Sequence, residues 1–379
     1  MKNSKIASSF KKAVPLLLAG YFFGKNTVAQ PIKTHLAWNQ FSMGADLSYV
    51  TRMKDNNIHY NDGTEQDIFT ILQSHGCNTV RLRLWHNPKA APFKWEDLKY
   101  SDLADVEQLM RRAKALGMAV NLDYHYSDSW ADPQQQYTPA AWKNLDINTL
   151  CDSVYNYTLA VLTELKQKNL VPEMVQIGNE TNGGMLWPVG KVVNDNWTNF
   201  GRLLNAGIKA VKDFSKKSTI KPIIILHEAQ LQTAADWVNK VINKGGVKDF
   251  NIIGLSHYSD WTTVKTMPAI TEIIKSLTAQ FHKKVMIVET AYYFDSLDAK
   301  GKSIGKTPTV GYPFTKTGQY NYLKDLTQAV INGGGVGLQY WAPDYVNKYG
   351  GELTARALFD FDGKALPALD FFNAAYAWE

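Results

Sequence analysis

Two glutamates each close an apolar run. Glu180 ends Glu173-Met-Val-Gln-Ile-Gly-Asn-Glu180, and Glu289 ends Lys284-Val-Met-Ile-Val-Glu289. A run rich in Val and Ile that stops on a carboxylate reads as a buried parallel strand with an acid at its C-terminal end. Two such acids from different strands can protonate a leaving oxygen and attack an acetal carbon, the chemistry that opens a glycosidic bond. Asn179 beside Glu180 adds an amide able to hydrogen-bond a sugar 2-hydroxyl as positive charge develops at the anomeric carbon. Arg81 or Arg83 is a candidate partner for the glutamates. Arg83 against a carboxylate would keep it ionised, as a nucleophile requires, although the same pair could serve only to tie strands together.

The elements that must hold these groups repeat one pattern from residue 41 onward: a short apolar run, a polar loop, then a segment of helical period. The runs are Phe41 to Asp46, Thr79 to Trp85, Ala119 to His125, Met174 to Glu180, Pro222 to His227, Ile252 to Tyr258, Val285 to Glu289 and Val336 to Trp341. Thr64 is the expected cap of a helix stopped by Gly76, and Ser101 that of a helix stopped by Gly117. Strands alternating with helices pair in parallel through right-handed crossovers, so the expected fold is α/β, a (β/α)8 TIM barrel forming one catalytic domain over residues 30–379. A doubly wound sheet would need a glycine-rich phosphate turn after the first strand, and Gly44-Ala-Asp46-Leu-Ser48 is not one.

The strand ends of a barrel are an inventory of its functional face. Here they carry Asp46, Arg81, Arg83, Trp85, Asp123, His125, Asn179, Glu180, His227, Glu228, His257, Tyr258, Glu289, Tyr340 and Trp341. Trp130, Trp187 and Trp261 fall in the adjoining loops and offer flat faces for the C–H side of sugar rings. Platforms spread over several loops suit an internal cut in a polymer. Three strand-end histidines raise the question of a metal, but the chain has no His-x-His pair. The reading is therefore catalysis without metal or other cofactor.

The chain of 379 residues is 45% hydrophobic and 20% charged, a balance that fills a large core. Its first 29 residues differ: four lysines precede Ala13 to Phe23, an apolar stretch shorter than the about 20 residues a bilayer span needs, and Thr27-Val-Ala29 offers a cleavage site. Residues 1–29 read as a signal peptide, and the mature protein as exported, periplasmic or extracellular, with no membrane insertion. Without that segment Lys+Arg falls from 41 to 36 against 35 Asp+Glu, so the net charge of +6 belongs almost wholly to the leader. The mature chain gives no support to nucleic-acid binding. The reading of its assembly is a monomer. Cys77 and Cys151 could pair or stay as thiols, and a domain this large does not need the staple.

Five segments resemble the arabinogalactan endo-β-1,4-galactanases, glycoside hydrolase family 53. They are Gly44-Ala-Asp-Leu-Ser48, Val80-Arg-Leu-Arg-Leu-Trp85, Leu122-Asp-Tyr-His-Tyr-Ser-Asp-Ser-Trp-Ala-Asp-Pro133, Gln176-Ile-Gly-Asn-Glu-Thr-Asn-Gly-Gly-Met-Leu-Trp-Pro188 and Ile287-Val-Glu-Thr290. The resemblance implies retaining, endo-acting hydrolysis of neutral β-1,4-galactan side chains of plant cell-wall pectin. It implies Glu180 as acid/base on the fourth strand and Glu289 as nucleophile on the seventh, with Arg83, His125, Asn179, Tyr258 and Trp341 touching the sugar or the carboxylates. Asp46, Trp130, Trp187 and His257 complete the expected substrate-binding set. The chain departs from the family pattern at Ser256-His-Tyr-Ser-Asp-Trp261, at Ala342, and in the loop from Tyr292 to Gln319, which lacks ligands resembling the calcium site of some bacterial members. The alternatives are a sister endo-β-glycanase acting on another β-1,4-linked polysaccharide, or a barrel that binds glycan without cutting it.

Overall fold

A computed structural model describes residues 40–91, 99–346 and 350–378, all within one compact unit, Lys33–Glu379. The expected leader lies outside the described residues. Eight parallel strands close a barrel: β1 (Ser42–Asp46), β2 (Thr79–Leu84), β3 (Ala119–Tyr124), β4 (Met174–Ile177), β5 (Ile223–Glu228), β6 (Ile252–His257), β7 (Lys284–Thr290) and β8 (Gly337–Trp341). β8 pairs with β1 in register, Ser42 opposite Gly337 through Asp46 opposite Trp341. The eight-stranded barrel read from the sequence is the observed architecture.

Helices fill the crossovers: α1 (Val50–Asp55) and α2 (Ile68–Ser74) lie between β1 and β2, and α3 (Leu103–Ala115), α4 (Ile147–Gln167), α5 (Thr198–Ser215), α6 (Ala234–Asn243), α7 (Met267–Phe281) and α8 (Lys316–Asn332) follow the next strands in turn. Their apolar faces pack on the outward residues of the strands. In α3 these are Val106, Leu109, Met110 and Ala113, all buried with Val80, Leu82, Val120 and Leu122 in one core. Each of the larger ones, Val, Leu and Met, contributes roughly 1.5–3 kcal/mol by burial. The expected caps are displaced. Asp67 caps α2 by accepting from the Phe69 N–H, whereas Thr64 lies in a short hairpin, Tyr60–Asp62 with Thr64–Gln66. Asp102, one residue after Ser101, caps α3 by accepting from the Asp105 N–H. An aspartate carboxylate is at least as good an acceptor for the free first-turn donors as a hydroxyl.

The barrel interior is layered. Met174, Ile225, Ile252, Met286 and Val288 form a small apolar cluster of their own in its lower part. Opposite them polar residues pair with one another: Ser42 donates to Thr79 (2.9 Å) and Asn121 to Gln339 (3.1 Å). Cys77 and Cys151 are unpaired, and burial pushes the Cys77 thiol up to about 12. Among the described residues no helix is long and apolar enough to cross a membrane.

Candidate active site

Two backbone irregularities deliver the glutamates. β4 stops at Ile177, so Glu180 is not on the strand as its apolar run suggested. It follows a sharp turn in which Gly178 has φ 81° and Glu180 itself φ 45°. A Cβ at Gly178 would lie 2.6 Å from the Thr181 side chain, which limits this position to glycine. On β7, Met286 and Val288 point into the barrel, so strict alternation would turn Glu289 outward to the helices. A bulge prevents this. Adjacent Leu255 and Ser256 of β6 pair with Ile287 and Glu289, and Leu338 and Tyr340 of β8 pair with Ile287 and Thr290, so β7 holds one extra residue against both neighbours. That extra residue re-aims Glu289 into the mouth.

The two carboxylates meet there. Oxygens of Glu180 and Glu289 and a ring nitrogen of His227 all lie within 4.8 Å of one another. Arg81 organises the floor beneath them, donating to Asp46 (2.6 Å), Asp123 (2.8 Å) and the Asn179 amide oxygen (2.8 Å) and lying 2.9 Å from Glu289. Burial works against its charge, but Asp123, Glu289 and Asp46 more than restore it and leave the pKa raised. The Tyr258 hydroxyl donates to Glu289 at 2.8 Å. Ser256 donates to Glu180 at 2.7 Å, and its oxygen lies 2.9 Å from His227 Nε2.

Burial drives the Glu180 carboxyl well above its ordinary range, Glu289 adds to this, and the Ser256 hydrogen bond opposes it. Burial also raises Glu289, to about 7, against the pull of Arg81 and the Tyr258 hydroxyl. Two buried acids this close share one proton. It resides on Glu180, since only Glu289 is in contact with a cation. His227 stays neutral because burial holds its pKa well below the usual value. Both its nitrogens are occupied: Nδ1 faces Gln176 and Asn179 and accepts from the Glu180 N–H, while Nε2 faces Ser256. A cation at Glu180, His227 and Glu289 would have to break that network.

The cleft above has a volume of about 530 Å³, and its lining includes Asp46, Arg83, His125, Trp130, Asn179, Tyr258 and Trp341 of the expected substrate-binding set, with both glutamates. Their roles differ from expectation. Arg81, not Arg83, holds Glu289; Arg83 lies over the rings of Tyr49, Trp85 and Trp130 and donates to Ser101. Asp46 is tied to Arg81 and Ser48, and His125 to Asp123 (3.1 Å). Two expected residues are not in the cleft. His257 turns to the outer side of β6, buried with both ring nitrogens unpartnered. Trp187 folds back on its own loop, donating to the Gly183 carbonyl with Lys191 over its ring. Ser256 stands in the place expected of His257. Since Tyr258 faces the cleft, alternation puts Ser256 on the same side and His257 on the other, a signal present in the sequence. Arg81 shares a face with Arg83 and differs only in depth, which spacing does not reveal. Trp261 and Arg356 also line the cleft.

Barrels that present two carboxylates this close at the C-terminal mouth of parallel strands, in an aromatic-walled cleft, are glycosidases, and this chain is one. The model of Glycosyl hydrolase family 53 matches residues 42–372, and the chain belongs to that family. It is 41% identical to an arabinogalactan endo-β-1,4-galactanase of Cellvibrio japonicus, over 89% of this chain and 91% of the relative, and 31% identical to one of Thermothelomyces thermophilus, over 87% and 98%. Of solved structures, the family 53 catalytic domain of Ignisphaera aggregans superposes with a TM-score of 0.78 at 33% identity, covering 92% of this chain and 99% of that one. A fungal β-1,4-galactanase gives 0.78 at 30%, covering 88% and 100%.

Proposed function

We propose that the protein is an exported, endo-acting, retaining hydrolase of β-1,4-galactan, the neutral side chain of plant cell-wall pectin. The observation that carries the mechanism is the approach of the two carboxylates within 4.8 Å. Direct attack requires carboxyl groups roughly 5–5.5 Å apart, whereas an inverting pair leaves about 6.5–9.5 Å for a water. Glu289, ionised beside Arg81 and Tyr258, attacks the anomeric carbon while Glu180 gives its proton to the departing oxygen. Glu180, now a carboxylate, takes a proton from water; that water attacks the same carbon and displaces Glu289, which returns as a carboxylate.

The substrate reading rests on the names of the relatives and on the charge of the cleft. Its lining holds the acids Asp46, Asp132, Glu180 and Glu289 and the bases Arg81, Arg83 and Arg356. With the proton on Glu180 these cancel, which suits a neutral polymer. Export rests on the composition of residues 1–29, the endo mode on aromatic faces at Trp130, Trp261 and Trp341, and monomeric, metal-independent action on the completeness of the site within one chain.

The test is incubation with linear β-1,4-galactan, followed by viscosity, reducing ends and NMR of the first product. An early fall in viscosity with a β-anomeric first product is expected. Release of galactose alone from the outset contradicts the endo mode, and an initial α-anomer contradicts the nucleophile.

A further inference from the structure

The cleft is walled by two arginines that each lie among aromatic rings, and they differ in one respect. Arg83 lies 4.1–4.7 Å from the ring centroids of Trp130, Tyr49 and Trp85, and its Nε–H is spent on Ser101 at 2.9 Å. Arg356 lies 5.2–5.9 Å from those of Trp341, Tyr258, Tyr293 and Trp261. It is 3% exposed, yet its Nε and Nη1 have no hydrogen-bond partner. The acids nearby are committed elsewhere: Asp260 and Glu352 hold Lys306 between them at 3.1 and 3.2 Å. A buried donor without an acceptor costs about 1–3 kcal/mol, and more for a charged group. The surrounding rings offset part of that cost through cation–π contact, but they accept no hydrogen bond from Nε or Nη1, so an acceptor supplied from outside is the economical explanation.

We propose that Arg356 binds the substrate, donating to a hydroxyl or ring oxygen of a neutral sugar unit stacked against Trp261. Three observations converge on that ligand. The guanidinium lines the cleft beside Trp341 and Tyr258, whose hydroxyl holds Glu289, so the unit it reaches belongs to the chain lying across the catalytic pair. Trp261 keeps 55% of its surface exposed, a flat face of the kind a pyranose ring covers. The formal charge of the lining is balanced once Glu180 carries its proton, so the guanidinium serves as a hydrogen-bond donor and not as the counter-ion of an acidic sugar. The inference rests on reading the cleft as a galactan site and adds a residue to it.

The experiment compares Arg356→Met, which keeps the aromatic packing without the donors, and Arg356→Lys with the parent enzyme. The readouts are KM and kcat on linear β-1,4-galactan and melting temperature without sugar. For R356M a rise in KM of about tenfold or more is expected, the loss of a hydrogen bond to a charged group. The melting temperature should stay equal to the parent's or rise, because an unsatisfied buried cation is removed. R356K, which keeps a charge but presents a different donor, should recover part of the KM. A lowered melting temperature with unchanged KM overturns the proposal and makes Arg356 structural. Selective binding of a uronate-bearing galacto-oligosaccharide over the neutral one, lost in R356M, overturns the neutral-sugar assignment. A parent enzyme inactive on galactan defeats the substrate reading itself. That result is distinct from an active parent with an unaltered R356M, which defeats only the role of Arg356.

Discussion

The same four strands, β4 to β7, build two layers of opposite character. In the lower barrel they contribute Met174, Ile225, Ile252, Met286 and Val288, an apolar cluster whose one side-chain hydrogen bond among the described residues is the Gln339 amide donating to the Met286 sulfur at 3.6 Å. One turn of side chains higher they contribute Gln176, His227, Ser256 and Glu289, buried polar groups that with Arg81 fill one continuous hydrogen-bond network. The lower layer carries no ionisable group of its own. The upper layer holds two carboxyls whose pKa values burial raises. Stability is concentrated below and chemistry above, so substitutions in the two layers should separate folding from turnover.

Glu289→Gln should have the largest effect. Without the nucleophile, turnover on galactan is expected to fall about 10⁴-fold or more. The fold should gain from the change at neutral pH. The Glu289 carboxyl is raised to about 7 in the folded protein against about 4.3 unfolded, so its stabilising protonated form is complete below pH 4.3 and lost as pH rises through 7. Melting curves of variant and parent should therefore diverge upward in pH, with the variant the more stable at pH 8. A variant less stable at pH 8 would mean that the carboxylate ties the upper layer together.

Glu180→Ala should cost about 10³-fold in kcat/KM on galactan but about tenfold or less in kcat/KM on an aryl glycoside whose leaving group needs no proton, because kcat/KM reports the first step and not the later attack of water. Equal losses of kcat/KM on both substrates would remove Glu180 from the acid role.

Ile225→Ala probes the lower layer. It should lower stability by about 2–5 kcal/mol, measured by denaturant unfolding, and leave kcat on galactan within about threefold. A collapse of kcat alongside stability would show that the two layers are one mechanical unit.

The smallest effect belongs to Ser256→Ala. Its hydroxyl donates to Glu180 and favours the carboxylate, so losing it should raise the Glu180 pKa further. The acid then keeps its proton to higher pH, and the alkaline limb of the kcat/KM profile should move up. A limb that stays in place would mean that Ser256 orients the carboxyl without tuning it.

How legible this site was depended on which periodicity carried each residue. The eight apolar runs and the helices between them were readable, because burial on both faces of a parallel strand leaves a mark in composition. Glu180 and Glu289 stood out for the same reason, as acids closing such runs. The alternation that points Tyr258 inward also excludes His257 and selects Ser256, so that misassignment was correctable from sequence. Trp187 was not: its loop folds back on itself, and only the Gly183 contact shows that its ring is occupied.

What the sequence by itself determined is the barrel, the two glutamates that close its apolar runs and the aromatic character of the mouth, since all three follow from local pattern and residue type. The tertiary structure alone decided how those residues face. Glu289 enters the cleft only through a bulge defined against β6 and β8, and Glu180 only through a turn beyond the end of β4. Arg81 rather than Arg83 reaches Glu289 because the barrel brings Asp46, Asp123 and Glu289 around one depth of its interior. Each of these is a pairing between residues far apart in the chain, and strand register, which has no local signature, is what sets it.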